Sequence, residues 1–232
     1  MELLDISARP APRTLRVLSR LLGYPDAALR HHLPELREAL RGEAALSPLR
    51  LRELDALIAD LARRTPLDVE ADYVQLFDSG RRTALHLFEH VHGDSRERGS
   101  AMIDLAQTYE KAGLYLAPGE MPDHLPVVLE FASTQPAREA AAFLGEIAHL
   151  INGLLAALEK RESRYAAVMG ALLDLAGMPA RPVQVPREDP LDTTWEEPVA
   201  FDGCSSAGSA AGTVKPIRIV PRDSRPSTGA AP

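Results

Sequence analysis

A long apolar stripe at helical spacing is the strongest constraint that this sequence places on its fold. From Pro136 to Lys160, large apolar residues recur every three or four positions, which places them on one face of a helix of about six turns. No segment shows the alternating apolar and polar pattern of a half-buried strand. Because such a stripe must be buried against other helices, the sequence predicts an all-α fold, a single-domain helical bundle with a disordered C-terminal tail. The stripe consists of Leu144, Ile147, Ala148, Ile151, Leu154, Leu155 and Leu158.

Further helices follow from the same periodicity and from residues typical of helix ends. Asp26 and Ser47 are predicted N-caps, and Pro48 suits the first position of a helix. Gly113 and Gly177 are predicted C-terminal stops. In chain order, helices are predicted over residues 13–22, 26–41, 48–61, 66–79, 83–92 and 95–112, over a segment entered near Asp123, and over residues 164–176.

The composition changes abruptly near Pro179. Residues 180–232 are rich in Pro, Gly, Ser and Ala and have no apolar periodicity, so they cannot bury enough surface to offset their ordering entropy. We therefore expect a flexible N-terminus over residues 1–12, a helical domain over 13–179 and a disordered tail over 180–232. Within that tail, Trp195 lies in a WEEP segment that is either a docking element or a solvated linker.

Charge and hydropathy exclude several classes of function. A net charge of -7 argues against a nucleic-acid-binding protein, which needs a concentrated basic face. Apolar runs are too short to span a bilayer, and MELLDISARP lacks the basic and apolar regions of a signal peptide, so we expect a cytoplasmic protein. Cys204 is the single cysteine, which excludes a disulfide within the chain. No cofactor is expected.

The stretch from Tyr73 to Gly99 concentrates aromatic, histidine, arginine and acidic residues in a way that the flanking Leu/Ala helices do not. Within it, His86-Leu-Phe-Glu89-His90 matches H-x-x-E-H, in which two histidines four apart on one helical face bind zinc and the glutamate acts as general base. A zinc hydrolase is therefore one hypothesis. It lacks an identifiable third ligand, because Glu159 and Glu162 carry no signature that nominates them.

A recognition surface is the second hypothesis for the same stretch. Tyr73, Leu76 and Phe77 fall at positions i, i+3 and i+4, on one face of a helix. Phe77 and Phe88 suit the protein core equally well. Histidines beside apolar surface suit a groove whose hydrogen bonds adapt to a bound peptide, and this chain has four candidates, His86, His90, His92 and His124. A generic helical interaction module is the third possibility.

Two long motifs resemble the NarJ family, the nitrate reductase molybdenum cofactor assembly chaperones, also called the nitrate reductase delta subunit. They are YVQLFDSGRRTALHLFEHVHGDSRERGSAMIDL, which begins at Tyr73, and EMPDHLPVVLEF from Glu120 to Phe131. The LLGYP turn ending at Pro25 and the WEEP segment fit the same pattern, and the resemblance covers roughly residues 13–203. It also implies a relation to the chaperones that proofread twin-arginine signal peptides.

The resemblance implies a chaperone without enzymatic activity. Such a protein binds the N-terminal peptide of the apo catalytic (alpha) subunit of respiratory nitrate reductase. It permits insertion of the molybdenum cofactor and the iron-sulfur cluster, and it delays membrane docking. A different molybdoenzyme is the alternative client. We expect a monomer or weak dimer that binds no nucleic acid, does not insert stably into membranes and holds no metal.

The peptide site follows partly from the resemblance. The aromatic-x-x-Leu-Phe face falls on Tyr73, Leu76 and Phe77, and the Pro-Asp-His element, which borders the peptide groove in relatives, falls on Pro122, Asp123 and His124. Asp123, Glu89 or Asp94 is expected to meet basic client residues. The full predicted peptide-binding set is Tyr73, Leu76, Phe77, His86, Phe88, Glu89, His90, Pro122, Asp123 and His124.

Overall fold

The computed structural model of the chain describes residues 10–92 and 97–183, without the side chain of His92. Asp94, Trp195, Cys204 and nearly all of the predicted tail lie outside these residues. The described part is all-α, as predicted, and its only extended feature is an isolated antiparallel bridge between His86 and His124. Its helices are α1 Pro12–Leu22, α2 Ala27–Glu43, α3 Pro48–Arg63, α4 Pro66–Tyr73, α5 Leu87–His92, α6 Glu97–Lys111, α7 Leu125–Thr134, α8 Ala137–Glu146, α9 Ala148–Lys160 and α10 Ala166–Leu175.

Local sequence signals set the N-terminal ends of several helices. The carboxylate of Asp26 accepts a hydrogen bond from the Leu29 N–H at 2.7 Å, and the hydroxyl of Ser47 accepts one from the Arg50 N–H at 3.2 Å. Both predicted caps are therefore confirmed. Thr65 caps α4 in the same way, through the N–H of Asp68 at 3.3 Å, and this cap was not predicted.

The core lies where α10 meets the other long helices. Residues Ala167–Leu173 are all buried, so α10 is apolar around its whole circumference, as expected of a helix that is enclosed on all sides. Helix α9 packs along α10, and α1 packs along α7. Together these helices bury the apolar stripe that the sequence predicts after Leu144.

The prediction of one continuous helix from Pro136 to Lys160 is wrong. The helix breaks at Ile147, and α8 and α9 meet at an angle of 65°. Gly145, a poor helix former, precedes the break, and the ring of His149 hydrogen-bonds the Glu146 carbonyl oxygen at 3.2 Å. Apolar residues on both halves still face the core, because α8 turns toward α7 and α10 while α9 lies along α10.

The short helix predicted to begin at Thr83 begins only at Leu87. The Thr83 hydroxyl instead donates to the carbonyl oxygen of Leu76, with that of Gly80 3.2 Å away, and closes a turn. The helix predicted near Asp123 similarly begins at Leu125. Both starts are delayed because His86 and His124, which directly precede the two helices, pair with each other in the isolated bridge.

Two further helices differ from their predicted form. The helix predicted over residues 66–79 ends its α-helical part at Tyr73 and continues as one π-helical turn, Val74–Asp78. The predicted apolar stripe of α6 is only half-buried at Met102, Leu105 and Ala106, so Tyr109 alone is buried on that helix.

Among the described residues, no single helix has the length and apolar character needed to cross a membrane. Only α8 and α9 taken together, across their bend, reach that threshold.

Candidate functional site

The predicted site residues form two groups on either side of the turn that follows the π-helical segment. One group surrounds Asp123, and the other surrounds Tyr73. We call His86, Arg98, Asp123 and His124 the His–Asp cluster, and Tyr24, Tyr73, Phe77 and Tyr165 the aromatic cluster. The Thr83 hydroxyl, which hydrogen-bonds the Leu76 carbonyl, closes the turn that lies between the two groups in sequence.

Backbone pairing positions the two central histidines. The N–H of Leu87 donates to the carbonyl oxygen of Asp123 at 3.0 Å, and the N–H of Leu125 donates to that of Leu85 at 2.9 Å. These two bonds flank the bridge and place the imidazoles of His86 and His124 in a stack, with ring centroids 4.9 Å apart and planes 24° from parallel. The side-chain arrangement therefore depends on a non-helical backbone.

The buried carboxylate of Asp123 orients the residues around it. Its carboxylate is completely buried, accepts a hydrogen bond from the Phe88 N–H at 3.1 Å and lies 3.4 Å from Nδ1 of His86. The guanidinium of Arg98 is 4.0 Å away. Burial alone would raise the pKa of Asp123, but the hydrogen bonds from His86 and Phe88 and the nearby positive charges hold that pKa below its usual value. Asp123 is therefore an ionised group that fixes its neighbours.

The two stacked histidines have opposite protonation preferences. The hydrogen bond to Asp123 raises the pKa of His86 against the effect of desolvation. Desolvation, together with the positive charge of a protonated His86, lowers the pKa of His124 to about 4. His124 is therefore neutral at physiological pH, and His86 is the ring of the pair that takes up a proton more readily.

Only part of the cluster reaches the surface. His86 has about a third of its side chain exposed (35%), and Glu89 and His90 are exposed. The Nε2–H of His90 donates to the Ala84 carbonyl oxygen at 2.8 Å, which orients its ring. Pro122 and Asp123 are buried, so the expectation that Asp123 itself meets a basic client residue is wrong for this conformation.

Tyr73 and Phe77 belong to the core. They are 6% and 4% exposed, their ring centroids are 4.9 Å apart, and the Tyr73 hydroxyl donates to the Leu22 carbonyl oxygen at 2.7 Å. Tyr24 and Tyr165 pack edge-on against this pair. The core interpretation that the sequence allowed for Phe77 is therefore confirmed, and it extends to Tyr73.

Leu76, the third member of the predicted aromatic-x-x-Leu-Phe face, is half-buried and opens onto a groove of about 500 Å³. We call this the α3–α4 groove, because it lies between α3, α4 and the connection from α9 to α10. Leu57, Leu61, Val69 and Leu76 supply its apolar wall, and Asp60, Arg64, Asp72, Arg161 and Arg164 supply its polar edge. The groove gives the second group a surface that a partner can reach.

The zinc hypothesis fails on backbone geometry. His86 precedes α5 and points toward Asp123, whereas His90 lies on α5 and contacts the Ala84 carbonyl, so the two imidazoles do not share a helical face. Within residues 10–92 and 97–183, no three His, Cys, Asp or Glu side chains are grouped to hold a metal ion. The sequence contains the H-x-x-E-H pattern, but the fold does not place its two histidines on one helical face.

Sequence reasoning missed two site residues. Arg98 reaches from α6 to within 3.3 Å of Glu89 and 4.0 Å of Asp123, and Tyr165 joins the aromatic cluster from the start of α10. Arg98 lies inside the polar stretch that the sequence singled out, which is a weak signal for its role. Tyr165 carries no local signal, since its neighbours in the cluster are distant in sequence.

Comparisons with known proteins give one consistent result. The family model described as the nitrate reductase delta subunit matches residues 24–169. The nitrate reductase molybdenum cofactor assembly chaperone NarJ of Escherichia coli K12 is 43% identical over 216 residues, covering 88% of this chain and 92% of that protein. The probable assembly chaperone NarW of the same organism is 36% identical, covering 79% of this chain and 80% of the relative.

More distant relatives agree. The probable assembly chaperone NarJ of Bacillus subtilis is 33% identical and covers 69% of this chain and 86% of its own length. A crystal structure of a proposed redox enzyme maturation protein from Archaeoglobus fulgidus has the same fold, with a TM-score of 0.54 and 21% identity, covering 76% of this chain and 99% of that one. NarJ of Escherichia coli is named as an assembly chaperone, and NarW and the Bacillus subtilis NarJ are named as probable assembly chaperones. From the family match and these identities, the chain belongs to the nitrate reductase delta subunit family.

Proposed function

We propose that this protein is a system-specific chaperone for the maturation of respiratory nitrate reductase. It binds the N-terminal segment of the apo catalytic (alpha) subunit in the cytoplasm. While it is bound, the molybdenum cofactor and the iron-sulfur cluster are inserted, and docking onto the membrane is delayed until insertion is complete. The client segment dissociates from the chaperone once the mature subunit no longer exposes it.

The observation that carries this proposal is the extent of the likeness to the Escherichia coli assembly chaperone. The match covers 88% of this chain and 92% of that protein, so it includes both the His–Asp cluster and the α3–α4 groove. A match of that extent supports a shared role for the whole domain. The two surfaces, and the different directions in which His86 and His90 point, favour a binding protein over a zinc hydrolase.

The predicted peptide-binding residues act in two ways in this proposal. His86, Phe88, Glu89, His90, His124 and Leu76 are exposed or half-buried and contact the client. Tyr73, Phe77, Pro122 and Asp123 are buried and hold the contacting residues in place. Asp123 does so most directly, because its carboxylate receives both the His86 ring and the Phe88 N–H.

The estimated free energy of client binding is small enough for reversible binding. A client helix that buries on the order of 500 Å² of apolar surface gains about 12 kcal/mol. Association costs at least about 4 kcal/mol, and ordering the segment costs about 2 to 5 kcal/mol. The remainder, about 3 to 6 kcal/mol, corresponds to a dissociation constant between roughly millimolar and tens of micromolar, and good polar complementarity is needed to bring it into the micromolar range. A chaperone that must release its client suits that affinity.

Calorimetric titration of the full chain with a peptide copied from the N-terminus of the cognate catalytic subunit tests the proposal. Leu76→Ala and His124→Ala are expected to weaken binding about fivefold or more, the effect of losing an anchor residue of at least about 1 kcal/mol. His31→Ala, an exposed change on α2 outside the groove, is the matched control. Wild-type protein that binds the equivalent peptide of another molybdoenzyme, and not this one, would transfer the proposal to that client.

A further inference from the structure

A second cavity, which shares no lining residue with the α3–α4 groove, lies between α1 and α7. We call it the α1–α7 pocket, and its volume is about 510 Å³. The Ser19 hydroxyl donates to the Pro126 carbonyl oxygen at 2.8 Å, and the Nε–H of Arg16 donates to the Ser133 hydroxyl at 3.2 Å. The two helices therefore run antiparallel along the pocket. Its apolar wall comes from α7 and from the loop after α6 and consists of Leu114, Tyr115, Leu116, Val127 and Phe131.

Much of this apolar wall is uncovered in the described part of the chain. Tyr115 is 81% exposed, and Leu114, Leu116 and Val127 are only half-buried. Single exposed apolar side chains are ordinary, but several around one concave site mark a surface that another segment covers. None of the predicted peptide-binding residues lines the pocket, so the proposed function leaves it without an occupant.

The α1 edge of the pocket carries a cation that is free to pair. Arg16 and Arg20 extend from α1 one turn apart. Arg20 lies 3.8 Å from the Asp26 carboxylate. Arg16 binds only the neutral hydroxyl of Ser133 and forms no ion pair within residues 10–92 and 97–183. An occupant with a carboxylate beside apolar side chains would therefore suit this edge.

The chain enters α1 from beside the pocket. A neighbouring groove of about 460 Å³ is lined by Pro10 and Ala11. It shares Ser133 and Thr134 with the α1–α7 pocket, so the two cavities adjoin. Ala11 is buried, which holds this end of the described chain in place. Residues 1–9 are joined to Pro10 and therefore start next to the pocket.

The length of residues 1–9 is sufficient to reach the cations. Arg16 and Arg20 lie about 6 Å and 12 Å along the axis of α1 from Pro12, at a rise of about 1.5 Å per residue. Four extended residues span up to about 14 Å. Residues 6–9 can therefore reach as far as Arg20, and residues 1–5 can lie in the pocket.

The composition of this segment matches the pocket. In MELLDISAR, the carboxylates of Glu2 and Asp5 lie between large apolar residues. Those apolar residues are Met1, Leu3, Leu4 and Ile6. The segment thus combines apolar side chains for the wall with carboxylates for the α1 edge.

From these observations we infer that residues 1–9 fold back along α1 and occupy the α1–α7 pocket of the same chain. Leu3, Leu4 and Ile6 pack on the apolar wall, and a carboxylate of this segment pairs with Arg16. A short tether gives an effective concentration on the order of millimolar, so weak contacts are sufficient. The inference does not depend on the proposed function.

A photo-cross-linker in the full chain tests the location. Tyr115→p-benzoylphenylalanine exchanges one exposed aromatic ring of the pocket for another, and Thr134→p-benzoylphenylalanine places a probe where the two cavities adjoin. Both should cross-link to residues 1–9, and the probe at position 134 should reach residues closer to Pro10. Leu67→p-benzoylphenylalanine, at a position 75% exposed on α4, is the matched control and should not cross-link to this segment.

Charge reversal tests the pairing with Arg16. Arg16→Glu should lower the cross-link yield at position 115 about threefold or more, because repulsion replaces an exposed ion pair. Adding Glu2→Arg and Asp5→Arg to that variant should restore most of the yield. Arg52→Glu, an exposed change on α3 outside the pocket, is the matched control and should leave the yield unchanged.

Mixing unlabelled with isotope-labelled chain shows which copy supplies the segment. Cross-links within one chain support the inference, whereas cross-links mainly between labelled and unlabelled copies would overturn it. Position 115 reaching residues 1–9 no more often than position 67 would also overturn it, as would a yield that Arg16→Glu leaves unchanged. No client peptide takes part in these experiments, so a failure of the chaperone proposal would leave their outcome unaffected.

Discussion

The stacked histidines lead to a specific pH dependence of stability. Desolvation lowers the pKa of His124 from 6.5 to about 4 in the folded chain, whereas in the unfolded chain the ring is hydrated. Between pH 6.5 and pH 4 the unfolded chain therefore binds a proton at His124 that the folded chain does not. Folding stability must fall as the pH drops through this interval.

The size of the effect follows from the same pKa. At full burial a lowering of this size corresponds to about 3 kcal/mol, and the partial exposure of the ring reduces the figure to about 2 kcal/mol. His86 does not interfere in this interval. Its pKa is raised, so its contribution is complete below pH 6.5 and is lost only as the pH rises through its folded-state pKa. The pKa of Asp123 is lowered, so its contribution is present above the unfolded value of 3.8 and is lost as the pH falls from there through its folded-state pKa.

Urea unfolding followed by circular dichroism between pH 7.5 and pH 4.5 measures the effect. His124→Gln removes the titrating ring, so the stability difference between wild type and this variant should shrink by about 2 kcal/mol as the pH falls. His86→Gln removes the cation that helps to lower the pKa of His124. The stability of this variant should therefore decrease less between pH 7.5 and pH 4.5 than the stability of the wild type does. Parallel curves for wild type and His124→Gln over the whole interval would refute the reasoning.

Three further changes test the packing around the site. Asp123→Ala should destabilise the chain by about 3 kcal/mol in urea at pH 6, because it leaves the His86 charge unpaired. Gly80→Ala should cost about 2 kcal/mol in thermal unfolding, because a Cβ there would lie 2.6 Å from the Leu76 carbonyl oxygen. Ala44→Gly should raise the melting temperature by about 2 to 4 °C, because Ala44 ends α2 at a φ of 50°, which glycine adopts without strain. Results of the opposite sign would contradict the geometry at each position.

Helices and their ends were largely predictable because their causes are local. Asp26 and Ser47 cap the helices that the sequence assigns to them, and Gly113 and Gly177 take positive φ values where helices were predicted to stop. The break at Ile147 was not predictable from periodicity. A bend of 65° keeps the apolar residues of both halves on the core, so the pattern continues through it.

The site was predictable as a list of residues but not as an arrangement. His86 and Asp123 are far apart in sequence, and the extended pairing that brings them together has no local signature. Tyr73 illustrates the opposite difficulty, since an aromatic residue on a helical face fits a binding surface and a core equally well. Burial decides that question, and it places Tyr73 in the core. Tyr165 could be found only once the fold had brought its ring beside Tyr73 and Phe77.

The central claim is that the chain captures the leading segment of the nitrate reductase catalytic subunit. Isothermal titration calorimetry with that peptide and with a scrambled peptide of the same composition tests it most directly. The account predicts saturable one-to-one binding of the native sequence, with a dissociation constant between roughly micromolar and roughly millimolar, and no saturable binding of the scrambled one. Absence of binding to the native sequence, or equal binding of the two peptides, would contradict it.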